Sequence, residues 1–139
     1  MKKSIIMVMA LVLIFGIQAA YAADVDVVCP GSVSPGDSLS VTVTVTNDEP
    51  ENFSFSRVAT GLSGVRRTVT SLSDVGIMGP FARHVGPYTL LPGTSTTFTV
   101  TVVTIPSGMP PQFAGVFVAI VKDDGEVGGA GGCAVEVVP

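Results

Sequence analysis

Tryptophan is absent from this chain, histidine occurs once (His84), and tyrosine occurs twice, at Tyr21 and Tyr88. These scarcities remove several classes of chemistry. Sugar binding by ring stacking needs an aromatic platform, yet beyond residue 22 only Tyr88 is available, and most phenylalanines fall at inward strand positions. A Ser-His-Asp arrangement would have to use His84, and no G-x-S-x-G elbow presents a serine to it. With Arg83 before it and Gly86-Pro87 after it, His84 reads as an exposed loop residue. A cupredoxin-like copper site needs two histidines with a cysteine and an axial methionine, and Met78 or Met109 cannot replace the missing ring. Two cysteines and one histidine also fall short of the four ligands of a structural zinc site. No glycine-rich loop follows a strand and opens a helix, which disfavours nucleotide binding. The reading is of a protein that is not an enzyme and carries no required cofactor.

Long apolar runs are scarce as well. The single one, Ile5 to Ile17, follows Lys2-Lys3 and precedes Ala20-Tyr21-Ala22. That order of charge, apolar stretch and small residues is a secretory signal peptide, expected over residues 1–22, and the run is short of the roughly 20 residues a membrane span needs. Cleavage after Ala22 leaves residues 23–139, the size of one sandwich domain, with no further span. The location implied is periplasmic or extracellular. In an oxidising compartment an even cysteine count is normally paired, so a Cys29–Cys133 disulfide is expected, with free thiols or a metal site as the alternatives.

What the chain does have is β-pattern. Ser34-Pro35-Gly36-Asp37 opens Ser38 to Asn47, in which Leu39, Val41, Val43 and Val45 alternate with Ser40, Thr42, Thr44 and Thr46. Period-two alternation of this kind is a half-buried strand, and its apolar face needs a second sheet to cover it. Asp24 to Cys29 and Asn52 to Ala59 alternate in the same way. Leu91-Pro92-Gly93-Thr94 then feeds Ser95 to Ile105, whose alternation slips at Val102-Val103, the mark of a bulge or bend. Phe113 to Val121 is apolar on both faces, which predicts a central strand or one whose outer face a partner covers. Lys122 to Gly132 is a hairpin connection and Cys133 to Val138 a closing strand. Between Gly61 and Gly93 six glycines and three prolines obscure the pattern, with short strands expected at Val65 to Leu72 and Tyr88 to Leu91. The fold class expected is all-β: an immunoglobulin-like antiparallel β-sandwich of about seven strands.

The V-x-P-G-D-S turn before alternating Val/Thr, the L-x-P-G-T-S turn before a second such strand, and the Phe/Val/Ala strand ending in Lys-Asp-Asp-Gly resemble bacterial immunoglobulin-like modules. The nearest group is the CARDB-type adhesion and accessory domain. The likeness covers Ser34 to Asn47 and Leu91 to Val138 and implies a fold and an adhesive or structural role, without transferring any functional residue.

Charge is sparse but segregated. Residues 52–93 hold Arg57, Arg66, Arg67 and Arg83 against Asp74, a net +3, while the rest of the chain beyond residue 22 holds Lys122 against ten acids, a net −9. In an immunoglobulin-type order the loop after the Ser38–Asn47 strand and the last hairpin connection share one end of the sandwich. Asp48, Glu49 and Glu51 would meet Asp123, Asp124 and Glu126 there, with Arg66 and Arg67 towards the other end. Converging carboxylates are a Ca²⁺ candidate, since Ca²⁺ takes six to eight oxygens, although no spaced D-x-D-x-D motif is present; solvated acidic turns are the plainer alternative. An acidic end and a basic patch also suit head-to-tail contact between copies. Four arginines without interleaved aromatics in an acidic chain do not make a nucleic-acid footprint. The functional expectation is an exported structural or adhesion-type module that binds another protein or itself through sheet faces and charged loop ends. The alternative is a periplasmic small-ligand or Ca²⁺-binding protein.

Overall fold

The computed structural model describes residues 23–66 and 76–139. The expected signal peptide, Arg67 and Asp74 lie outside the described residues.

Eight strands follow in order: β1 (Ala23–Val28), β2 (Ser32–Val33), β3 (Ser38–Asn47), β4 (Phe53–Val65), β5 (Gly76–Leu90), β6 (Ser95–Thr104), β7 (Gln112–Lys122) and β8 (Val127–Val137). They build two sheets, β1-β3-β6 and β2-β8-β7-β4-β5. The alternation of β3 does what its pattern requires: Leu39, Val41, Val43 and Val45 are buried, and the serines and threonines between them face out. Facing them from the larger sheet are Phe55, Val58, Leu62, Val118 and Ile120, all fully buried. Valine and phenylalanine on two pleated layers thus hide each other, at about 25 cal/mol per Å² of apolar surface removed from water.

The slip at Val102-Val103 is a bulge. Leu39 pairs with Val103 and Ser40 with Thr101, so Val102 is the extra residue of β6. In the glycine- and proline-rich middle β4 and β5 pair antiparallel, with Phe53 opposite Leu90 at one end and Val65 opposite Gly76 at the other, so the expected Tyr88 to Leu91 strand is the end of the longer β5. The strand expected at Val65 to Leu72 lies mostly outside the described residues. Pro80 and Pro87 lie in β5, the outer strand of its sheet, where no ladder N–H is required of them.

The expectation of a wholly antiparallel sandwich needs one correction. β2 pairs in parallel with β8, Ser32 with Glu136 and Val33 with Val137. β1 already runs in the direction of β8, since Ala23 lies by Gly129 and Val25 by Gly131. Cys29-Pro30-Gly31 shifts the chain to the opposite sheet without reversing it, so the short continuation meets β8 in parallel.

Both sides of the sandwich where the two sheets meet are closed. On one, the Cys29–Cys133 disulfide joins the chain just after β1 to β8, with Cα atoms 5.8 Å apart and a sequence separation of 104. On the other, the carbonyl of the bulged Val102 accepts hydrogen bonds from Thr60 Oγ1 (3.2 Å) and Arg83 Nη2 (2.8 Å), which come from β4 and β5. Farther along β5 and β6 Tyr88 stacks on Phe98, with ring centroids 5.4 Å apart.

Candidate binding surface

The outer faces of the two sheets differ in chemistry. On the three-stranded sheet, hydroxyls meet across β3 and β6: Ser38 with Thr104, Ser40 with Thr101, Thr44 with Thr97 and Thr46 with Ser95, at 2.7 to 3.3 Å. Most of the outward hydroxyls on β3 and β6 are therefore occupied with a neighbour, Thr42 opposite Thr99 being the pair without such a bond. This is the arrangement that threonine's β-propensity and cross-strand pairing produce.

On the five-stranded sheet the outward positions are apolar and small. Even-numbered residues of β7 point into the core, so Phe113, Gly115, Phe117, Ala119 and Val121 point away from it. Their partners on β8 are Glu136, Ala134, Gly132, Ala130 and Val127. On β4 the same face carries Ser63, Gly61, Ala59 and Arg57, and β5 adds Ala82 and His84. Phe117 lies over Gly61: a Cβ built there would come within 2.3 Å of its Cζ, so the ring occupies the space a side chain would take. Phe113 is 71% exposed and Ile77 67%. Among the described residues of this face, charge sits only at the corners. Glu136 is level with Phe113 at one end of β7, and Arg57, opposite His84, is level with Val121 at the other.

The acidic loops meet at one end, as the immunoglobulin-type order requires. Buried Asn47 fixes the first of them: its Nδ2 donates to the carbonyls of Glu51 (2.8 Å) and Leu90 (2.9 Å), and its Oδ1 accepts from the Glu49 N–H (2.9 Å). The second is held by Asp123 N–H donating to the Ser54 carbonyl at 3.1 Å. Glu49, Glu51, Asp123 and Asp124 line a pocket of about 360 Å³ together with Asn52 and Lys122. Lys122 Nζ lies 3.6 Å from Asp124 Oδ2 and supplies cationic charge inside it. Asp48 and Glu126 do not line this pocket; the Glu126 N–H instead donates to Asp124 Oδ1 within the turn. Among the described residues no group of three or more His, Cys, Asp or Glu is placed to hold a metal ion. The loops converge, therefore, without forming the calcium cage considered from sequence.

Among the described residues, Arg57, Arg66 and Arg83 do not form one patch. Arg57 is on the outer sheet face near the acidic end, and Arg83 turns to the inner edge, where its guanidinium also lies 5.2 Å from the centre of the Phe81 ring. Arg66 follows the far end of β4, its backbone N–H and carbonyl paired with the side-chain amide of Gln112. Sequence position grouped these residues because two paired strands keep them close in number, while the two strands and two faces separate them in space. His84 is exposed on β5, in a strand rather than a loop. What sequence reading missed was the composition of the outer face across strands. Its signal was present in the doubly apolar Phe113–Val121 run, but Ala59, Gly61 and Ala134 join it only through register.

Two sheets in this order, closed by a disulfide, define an immunoglobulin-like β-sandwich. No protein-family model and no curated protein matches the sequence. Among solved structures the chain is similar in fold to the sporulation control protein Spo0M of Bacillus subtilis, at 19% identity and TM-score 0.60, covering 86% of this chain and 51% of that one. It thus spans about half the length of that protein. It is also similar to a Niemann-Pick type C2 protein from the Japanese carpenter ant (12% identity, TM-score 0.54, 86% and 96% covered). A third similar structure is the CARDB domain of the PF1109 protein from Pyrococcus furiosus, solved in complex with di-metal ions (12% identity, TM-score 0.50, 88% and 93% covered). At such identities these likenesses carry the fold alone, and the resemblance to CARDB-type modules is a distant one. Among the described residues no helix is long and apolar enough to cross a membrane.

Proposed function

We propose that this protein is an exported, non-enzymatic module of structural or adhesion type, which binds protein through the outer face of its five-stranded sheet. The observation that carries this reading is the uncharged centre of that face around Phe117, with Phe113, 71% exposed, at one end of the same strand. Contiguous apolar surface of this kind on a folded domain marks an interaction site. Small neighbours such as Ala59, Ala119 and Gly115 leave the face shallow, which suits a flat protein partner better than an enclosed small molecule. The Cys29–Cys133 bond supports residence in an oxidising compartment.

Photo-crosslinking in the native cell envelope tests the proposal. With a photoreactive phenylalanine analogue at position 113, protein adducts are expected; with the analogue at position 99, on the hydroxyl-bearing face, adducts should be at background. Equal background at both positions would refute the assignment of this face.

A further inference from the structure

We infer that the protein which covers the outer face of the five-stranded sheet is a second copy of this chain, docked about a twofold axis that sets each Arg57 against the Glu136 of the other copy. This rests on the binding role just assigned to that face and names its partner.

Size is the first argument. From Phe113 to Val121 the face runs about 27 Å along β7, and the four long strands span about 19 Å, so each copy offers about 500 Å². Two such faces bury about 1,000 Å² in total, where specific interfaces begin, whereas a patch of this size left bare is at the upper end for a monomer.

Charge gives the second argument, and it also sets the symmetry. Glu136 lies one strand to one side of β7 at the Phe113 end, and Arg57 lies one strand to the other side at the Val121 end. Opposite charges therefore occupy diagonal corners, with Phe117 midway between them. A twofold axis through the centre, running nearly across the strands, exchanges those corners and forms two identical ion pairs at the rim. The strands of the two copies then run antiparallel and cross at roughly 40°, close to the roughly 30° of aligned sheet packing. A twofold along the strands instead sets Arg57 beside Arg57 and Glu136 beside Glu136, so the charges select between the two dockings. Such an interface is closed: the same patch serves both copies, and assembly stops at the dimer. It differs from the head-to-tail contact expected from sequence, which needed a basic patch, whereas the described Arg57, Arg66 and Arg83 lie apart.

Sedimentation of the secreted protein across a concentration series decides the matter, with circular dichroism confirming the fold of each variant. A monomer–dimer equilibrium is expected. Arg57→Glu and Glu136→Arg, made separately, should each weaken it about tenfold or more, and the double variant should recover most of the loss. Phe117→Ser should abolish the dimer while retaining the wild-type spectrum. A strictly monomeric species at millimolar concentration, assemblies larger than a dimer, or a double variant no better than the single ones would overturn the inference. Crosslinks at position 113 to a different protein, from a chain that stays monomeric, would sink the second copy and leave the proposed function standing.

Discussion

At one edge of the sandwich β1 lies so close to β8 that a Cβ on Gly131 would fall 2.4 Å from the Val25 carbonyl oxygen, and the Cys29–Cys133 bond crosses the gap. At the other edge no covalent link exists among the described residues, and Thr60 and Arg83 reach the single carbonyl that the β6 bulge releases. The contrast separates two ways of holding two layers together. A disulfide acts largely by restricting the unfolded chain, so it works whatever the local packing, and it is lost to a reductant. A hydrogen-bond clamp exists only in the native state, works only if its carbonyl is turned towards it, and ignores redox conditions.

Removing the disulfide should be the costliest change. With the two cysteines 104 positions apart in sequence, replacing both by alanine should cost about 4 kcal/mol in the chain-entropy account, a fall in Tm of roughly 15 °C by calorimetry. A fall of only a few degrees would mean that glycine packing, and not sulfur, closes that edge. Next comes Gly131→Ala, because the atom it would strike is backbone and cannot rotate away. The overpacking should cost about 2 kcal/mol in denaturant melts, against almost nothing for alanine at exposed Gly108, which has open space around it.

Arg83→Met tests the second edge. It removes the hydrogen bond to Val102, but Arg83 Nε is already buried without a partner, which offsets part of the loss. The expected cost is about 1 kcal/mol. Thr60→Val should cost less than about 1 kcal/mol, since shape is kept and Val102 retains Arg83. Because both donors meet one oxygen, the double variant should depart from additivity, whereas Arg83→Met combined with the cysteine pair should add. Coupling between the two edges instead would show that they close as one unit.

Much of this frame was legible in advance. The alternation in Ser38 to Asn47 and Ser95 to Ile105 specified which side of each strand is buried, and two consecutive valines announced the bulge. The expectation of export and an even cysteine count pointed to the bridge. The Gly61 to Gly93 region was opaque because in β5, an edge strand, few positions are buried and few residues are constrained to be apolar. Arg57, Arg66 and Arg83 misled for a related reason: two paired strands that keep residues close in number also place them on opposite faces and at opposite ends.

Period-two patterning and the two cysteines by themselves determined that this chain forms two facing layers with its ends joined, because each strand must hide one side. The tertiary structure alone decided which outer face is left apolar and where its charges fall. That surface is assembled from four strands, and only their register places Ala59, Phe117 and Ala134 in one plane with Arg57 and Glu136 at its corners.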